Sequence, residues 1–478
     1  MRLRFLWNSP KQRSLAQRVR REVLVGYWAA PALFGLLMTL PLFAQSDVRA
    51  LLRKDKPAEA LELANRLMVG RACDAVLLAT AGDAQFRLGL FETAKASYVR
   101  SLACDAGSAR ALLGLGRLNI TLKMHRTAEA LIRRAYAADS DDPEILRDWA
   151  DVQEDYLDEV AALERYLLLG IEEDQEKLID ARNRISFLKT TGGLKSATLT
   201  DPPEEAVVRL SLVETRGFGI AISINGGKAE TLLFDTGAGG ITIPRKLAMR
   251  LGVKPIASSR LSGVGDGGWK TASMGIAESL QIGPLHYKDV PVTISDKQST
   301  GTSAGLMGSS LFNEFVATLD GPRRILRLDL RRAMDGEGDA VVPSGEEEFT
   351  KVRAFHHLLL VDTVAGGKTN GWFLIDSGAS SNMISLALAR AARVYTAPGN
   401  VQLTGVSGRV DRPFVARGLD LLFAGFHWAN REAMAFEFQN LNKSVGTEIS
   451  GLIGFPTLEQ IVTTIDYPNG LVRFQKEK

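Results

Sequence analysis

Two carboxylates stand out because the chain places them in the same setting twice. Leu232-Leu233-Phe234-Asp235-Thr236-Gly237-Ala238 is matched by Trp372-Phe373-Leu374-Ile375-Asp376-Ser377-Gly378-Ala379, each an apolar run entering Asp-Thr/Ser-Gly-Ala. A lone Asp-Thr-Gly says little, since Asp and Gly are ordinary turn residues. Two carboxyls held within hydrogen-bonding distance are different: they cannot both ionise easily, so they share a proton and titrate as a pair. The ionised member can then take a proton from a water that attacks a carbonyl carbon, while the protonated member donates to the carbonyl oxygen. Gly237 and Gly378 let the backbone pass close to the carboxylates. The hydroxyls of Thr236 and Ser377 stand where they can fix carboxylate orientation.

The match continues beyond the two motifs. Leu261-Ser262-Gly263-Val264-Gly265 pairs with Leu403-Thr404-Gly405-Val406-Ser407-Gly408, and Gly305-Leu306-Met307-Gly308 pairs with Gly451-Leu452-Ile453-Gly454; twelve residues after Gly308 and Gly454 stand Asp320 and Asp466. These two aspartates close matching strands, which makes them structural and not part of the acid–base pair. Short apolar runs with β-branched residues and glycine punctuation, such as Gly217 to Ile224, mark both copies as mostly β. Each copy resembles the retropepsin-type aspartic protease domain, over about 207–330 and 349–474. The resemblance implies that Asp235 and Asp376 are catalytic, that Thr236 and Ser377 brace the two loops, and that hairpins around Gly263, Gly265, Gly405 and Gly408 close over substrate. It also implies a peptide or protein substrate and a whole site within one chain. The copies differ at Gly239-Gly240 against Ser380-Ser381. Trp269 is either an aromatic contact of its hairpin or a surface residue beside a glycine run.

Other chemistries are poorly served. His356 and His357 are adjacent, so on a strand their rings point to opposite faces and do not share one metal; they read as surface or packing residues. No Ser-His-Asp order, cysteine nucleophile motif, phosphate-binding loop or His-Glu-x-x-His appears. No metal and no cofactor is expected.

The 478 residues, 45% of them hydrophobic, suffice for two or three globular units. The net charge of +3 conceals a basic leader: Arg2, Arg4, Lys11, Arg13, Arg18, Arg20 and Arg21 all precede the first acidic residue, Glu22. Those charges precede an uncharged apolar run, Val23 to Phe43, and form no folded basic face, so no nucleic-acid partner is expected. That run is long enough to cross a ~30 Å hydrocarbon core, with the N-terminus cytoplasmic and the rest of the chain exported, on the periplasmic or extracytoplasmic side of the membrane. It reads either as a membrane anchor or as a signal peptide cut after Ala44.

From about Asp47 to Thr190 the chain reads as helix, and it repeats. Ala60, Ala94, Ala128 and Ala162 recur every 34 residues, with Gly82, Gly116 and Ala150 in phase and Ala64, Tyr98, Ile132 and Tyr166 four residues after each alanine. This period resembles tetratricopeptide repeats, which implies an array that binds a partner protein or substrate. In that register Cys73 precedes the first helix of a hairpin and Cys104 ends its second, so a disulfide is expected, the alternative being two small buried residues at a helix junction. The whole is therefore multidomain: leader 1–45, all-α repeats 46–190, linker 191–205, and a mostly-β bilobal half with lobes 206–335 and 345–478. The functional expectation is an aspartic endopeptidase; the alternative is an inactive peptide-binding module or an assembly scaffold on the same fold.

Overall fold

The computed structural model describes residues 47–71, 73–169, 175–213, 217–296, 304–331, 348–399 and 402–476. The leader, with its expected anchor or signal peptide, lies outside the described residues. Among the described residues no helix is long and apolar enough to cross a membrane.

After a short helical run over 47–53, the first part of the chain is a series of helices: α1 (Pro57–Met68), α2 (Ala75–Arg87), α3 (Phe91–Cys104), α4 (Ala109–Thr121), α5 (His125–Ala138), α6 (Pro143–Asp151), α7 (Tyr156–Leu169) and α8 (Gln175–Thr191). Local chemistry sets several starts: Pro57 and Pro143 occupy first-turn positions that need no N–H, and Asp74 and Asp142 accept hydrogen bonds from the first-turn amides. The 34-residue register is also a packing register. All four alanines are buried. A Cβ on Gly82 would stand 2.6 Å from the Tyr98 ring, and one on Gly116 would stand 2.7 Å from Ile132 Cγ1. Each small residue thus opens the space that the large residue sixteen positions later fills. Between the helices, Arg110 is buried against Asp83, Asp142 and Glu144, and Arg117 against Glu144 and Asp148. These polar residues tolerate burial because they are paired.

The segment expected to be a plain linker is partly ordered: Thr198–Thr200 forms a strand antiparallel to Leu285–Ser295, with Thr198 opposite Lys288. Its Thr-Leu-Thr run supplies β-branched residues that can extend a sheet edge.

The β half consists of two lobes of equivalent topology, joined by a sheet that both share. In the first lobe, strand Glu230–Asp235 runs parallel to Leu306–Gly308, which is antiparallel to Ile241–Pro244, itself parallel to Leu285–Ser295. In the second, Thr369–Asp376, Gly451–Gly454, Met383–Ser385 and Phe426–Phe436 repeat the same order and senses. The shared six-stranded sheet centres on Phe315–Asp320 and Ile461–Asp466, where Val316 lies opposite Asp466, Thr318 opposite Thr464 and Asp320 opposite Val462. That register is a two-fold about the Thr318/Thr464 pair, whose hydroxyl oxygens are 3.3 Å apart. Asp320 caps its turn by accepting from the Arg323 amide at 2.9 Å, and Asp466 does the same for the Asn469 amide at 3.1 Å. Both aspartates are turn-closing groups on the symmetric sheet.

The helical array packs directly on the second lobe. Phe91 lies 5.2 Å from Trp372 and 6.0 Å from Phe355, ring to ring. Trp372 Nε1 donates to Gly89 O at 2.8 Å, and the Glu448 amide donates to Arg87 O at 2.8 Å. One apolar cluster therefore draws residues from α2 to α4 and from the second lobe.

Cys73 and Cys104 are joined in a disulfide, their Cα atoms 5.5 Å apart. The bond ties the entry to α2 to the end of α3. Thiol labelling of the denatured, unreduced protein is expected to find no free thiol, and Cys73→Ser with Cys104→Ser to cost about 2–4 kcal/mol of stability by releasing the unfolded loop. Two labelled thiols, or a double variant as stable as the parent, would contradict this.

Candidate active site

The site sits where the two lobes meet, at the ends of strands Glu230–Asp235 and Thr369–Asp376. Each aspartate is the last strand residue before a tight loop that doubles back over the neighbouring strand. Asp235 lies opposite Gly308 and Asp376 opposite Gly454. A side chain on Gly308 would run into the Ala238 and Gly239 carbonyls, and one on Gly454 would stand 2.5 Å from the Ser381 carbonyl. The apolar-apolar-Gly element of each copy is thus the floor on which the aspartate loop rests.

Across the interface the loops brace one another reciprocally. Thr236 N–H donates to Ser377 Oγ at 3.0 Å, and Ser377 N–H donates to Thr236 Oγ1 at 2.9 Å. Each hydroxyl then donates onward to the other strand, Thr236 to Ile375 O and Ser377 to Phe234 O, both at 2.8 Å. Thr236 and Ser377 are buried, so these four bonds satisfy groups that water does not reach.

The two carboxyls are hydrogen-bonded to each other. A Cβ on Gly237 would stand 2.7 Å from the Asp376 carboxyl carbon, and one on Gly378 would overlap the Asp235 carboxyl. Only glycine permits the approach. Asp235 accepts one loop amide, from Gly237 at 2.9 Å; Asp376 accepts two, from Gly378 and Ala379, both at 3.0 Å. Burial first, then the neighbouring Asp376, pushes the Asp235 carboxyl well above the ordinary carboxylate range. Burial raises Asp376 as well, but the Asp235 hydrogen bond and its two amides oppose the rise. The extra amide favours charge on Asp376, so the shared proton resides on Asp235.

The glycine hairpins of the two copies meet tip to tip. Gly263 N–H donates to Ser407 Oγ at 3.0 Å, Ser407 N–H to Val264 O at 3.0 Å, and Gly267 N–H to Ser407 O at 2.8 Å. Gly265 and Gly408 have φ values of +127° and +101°, and a side chain on Gly265 or Gly405 would collide with the opposite tip. Trp269 is neither exposed nor turned towards the aspartates. Its Nε1 donates to Glu176 Oε2 of α8 at 3.0 Å, and Arg260 lies 4.4 Å over its ring while pairing with Asp180. Glu176 also pairs with Lys443 of the second lobe at 3.0 Å.

Sequence reasoning passed over the contacts of Ser407 and Glu176; it read His356 and His357 as surface or packing residues of a strand, and they form a turn instead, the first exposed and the second half-buried. Ser407 is fully buried at the junction of the tips; its alignment with Gly265 of the first copy was the available signal. His357 is half-buried against the Asp235 loop, where a Cβ on Gly239 would stand 3.0 Å from its Nδ1. The Gly239/Ser380 difference between the copies was the trace of that contact. Among the described residues no cluster of His, Cys, Asp and Glu is arranged to hold a metal.

Because the brace is reciprocal, Thr236→Ala leaves the Ser377 amide buried and unpaired, and Ser377→Ala does the same to Thr236. Each is expected to cost about 1–3 kcal/mol, and the double variant less than the sum of the two. Urea unfolding measures all three; strictly additive losses would mean that the four bonds are independent.

A family model described as Aspartyl protease matches residues 220–311 and 361–457. One match falls on each lobe. No curated protein matches the chain. Among solved structures, the aspartic proteinase from Irpex lacteus aligns over 57% of this chain and 98% of its own, at 11% identity and a TM-score of 0.36. The mostly-β half of this chain is a bilobal, retropepsin-like aspartic protease fold, preceded by a helical region.

Proposed function

We propose that the chain is an aspartic endopeptidase whose Asp235 and Asp376 activate a water for attack on a peptide bond. The observation that carries the reading is the pair of carboxyls, one from each lobe, Asp376 buried and Asp235 half-buried, hydrogen-bonded to each other within the reciprocal Thr236/Ser377 brace. Asp376, the member with more amide donors, accepts the proton of the attacking water. Asp235, which holds the shared proton, donates it to the carbonyl oxygen as the tetrahedral carbon forms. Collapse of that intermediate returns a proton to the departing amine. Gly237 and Gly378 keep the approach clear, and the paired hairpin tips are the elements that must part to admit a chain.

The helical array is proposed to recruit the polypeptide that is cut, or a partner that presents it. A cavity of about 730 Å³ lies between the array, the hairpin tips and the second lobe, with Arg117, Asp148, Glu176, Trp269, Ser407 and Asn440 among its lining. A polypeptide held there would touch the hairpins that cover the aspartates. Export across the membrane is part of the same reading, supported by the basic leader with its apolar run and by a disulfide that a reducing cytosol would not preserve.

Incubating the full chain with denatured protein and with short peptides across pH tests the chemistry. Asp235→Asn, Asp376→Asn and the double variant are expected to lose hydrolysis to nearly the same extent, because either change removes half of one acid–base unit. Activity of the parent should fall at high pH as Asp235 loses its proton, and at low pH as Asp376 gains one. An ordinary carboxyl ionises in the unfolded chain while Asp235 stays protonated in the folded one, so its raised value costs stability as pH rises above the ordinary range. Asp235→Asn should therefore melt no lower than the parent at neutral pH. Recruitment by the array predicts a higher KM for peptides too short to leave the cleft. Near-normal turnover by either single Asn variant would dismiss the pair, and a parent inert to every substrate would leave a peptide-binding module. A reporter joined after Gln45 is expected to be exported; a cytoplasmic signal would refute that placement.

A further inference from the structure

We propose that α8 is an autoinhibitory strap: Glu176 and Asp180 hold the first-lobe hairpin shut against the second lobe, so that the helical array sets how readily the cleft admits a polypeptide. The inference rests on the endopeptidase reading and adds to it a control on access. Strands Pro255–Leu261 and Lys270–Ile282 pair with Leu261 opposite Lys270, so residues 262–269 form the tip of that hairpin. Three bodies outside the first lobe hold the tip. The second hairpin receives the Gly263 and Gly267 amides at Ser407 and the Asp266 amide at Arg409 O, 3.1 Å away, and its Asp411 amide donates back to Asp266 Oδ2 at 2.6 Å. Helix Gln439–Val445 of the second lobe adds Asn440 Nδ2, which donates to Gly265 O at 3.0 Å. The third body is α8.

On α8, Glu176 and Asp180 stand four residues apart and so share one face. Glu176 Oε2 accepts from Trp269 Nε1 and also takes the Lys443 ammonium, both at 3.0 Å. One carboxylate oxygen thus ties the tip of the first lobe to a helix of the second. Asp180 pairs with Arg260 at 2.7 Å; the same guanidinium donates to Glu176 O at 2.5 Å and covers the Trp269 ring at 4.4 Å. The second hairpin has no such extension. Gly405 lies opposite Gly408, so its turn has two residues, and no tryptophan follows it.

The anchor of this strap is firm and its grip is weak. α8 buries Leu178, Ala181, Ile185 and Leu188 among residues of α6 and α7, and the array is fixed to the second lobe by the dry cluster around Phe91 and Trp372. Towards the hairpin, by contrast, Glu176 is 40% exposed and Asp180 46%, and a cavity of about 210 Å³ lies between helix and hairpin, with Asn183, Phe187, Ser258 and Met274 in its lining. A dry interface would fill that space. The bonds between the tips are made largely by backbone groups, which an entering polypeptide can satisfy with its own amides and carbonyls. A short peptide in the cleft does not replace the bonds of Glu176 and Asp180, so these count against the open state. A polypeptide in the adjoining cavity of about 730 Å³, whose wall includes Glu176, Asp180, Trp269 and Lys443, competes for the same groups and favours opening.

In the full chain, Glu176→Ala with Asp180→Ala is expected to raise kcat/KM for a short peptide about three- to tenfold, mainly through KM, because the open fraction divides the apparent dissociation constant. Glu176→Gln keeps an oxygen for Trp269 but loses the attraction to Lys443, and should fall between the parent and the double variant. Circular dichroism checks that each variant is folded. Hydrogen exchange read by mass spectrometry follows the same motion without turnover: amides of 262–269 should exchange about three- to tenfold faster in the double variant, and those of strand Thr369–Asp376 at the parent's rate. Unchanged or lower kcat/KM in the double variant overturns the strap, a fall meaning that α8 supports a hairpin that needs it. If the parent hydrolyses nothing, the endopeptidase reading has failed and exchange alone decides the hold of α8. Equal exchange of 262–269 in parent and double variant overturns that hold whether or not the parent is active.

Discussion

Two carboxyl groups packed against each other, Asp376 buried and Asp235 half-buried, are a liability that the surrounding structure has to contain. Their mutual repulsion and their loss of water both oppose the arrangement, and neither aspartate would stay there on a single flexible loop. The fold answers by deriving each carboxyl from a different lobe and fastening the loops to each other and not to solvent-exposed partners. Thr236 and Ser377 exchange amide and hydroxyl bonds, and each then reaches the strand that carries the other aspartate. Neither loop can relax without unpairing buried groups on the opposite lobe. The shared sheet, with its two-fold at Thr318 and Thr464, repeats the same logic on a larger scale: it makes the relative position of the lobes a matter of strand register.

Symmetry at the core gives way to asymmetry around it. Asp376 receives two amides and Asp235 one, which decides where the shared proton sits. Gly239 admits an imidazole where the second copy carries Ser380, and only the first-lobe hairpin carries Trp269 and Arg260 onto α8. A duplicated chain can divide labour in this way because two equal carboxyls make a poor acid–base pair, whereas a small difference in their surroundings assigns one proton to one of them.

Much of this was legible in the sequence because close approach leaves a compositional mark. Gly237 and Gly378 are glycine because each backbone lies against the opposite carboxyl, and Gly308 and Gly454 because each lies under a loop carbonyl. The 34-residue alanine and glycine period was legible for the same reason, since helices that pack closely need small residues at fixed places. What the sequence withheld were contacts between parts that are far apart in the chain and carry ordinary surface residues. Glu176 meeting Trp269 and Lys443 has no periodicity and no unusual composition, and Ser407 joining the hairpin tips shows only as the residue aligned with Gly265. His357 was hidden by its neighbour: an adjacent histidine pair on a strand argues against a metal, and the turn that sends one ring outward and the other across the lobe interface is a property of tertiary structure. The short strand at Thr198–Thr200 escaped because its partner lies 88 residues on, at Tyr287 opposite Leu199.

The array's two attachments differ in kind. On the second lobe it is held by aromatic packing, with Phe91, Phe355 and Trp372 in one dry cluster and backbone bonds at Gly89 and Arg87. On the first-lobe hairpin it is held by polar contacts, Asp180 pairing with Arg260 and Glu176 accepting from Trp269 Nε1, and an ion pair with a carboxylate as exposed as that of Asp180 is worth about 0–1 kcal/mol. Apolar burial of the first kind does not come apart without unfolding, while ion pairs of the second kind exchange readily with water or with a bound polypeptide. The array is therefore a fixed extension of one lobe and a releasable grip on the hairpin of the other. Parting the tips would break these polar contacts together with the Ser407 bonds between the hairpins and the packing of Val264 on the apolar cluster, while the shared sheet and the Thr236/Ser377 brace lie outside them.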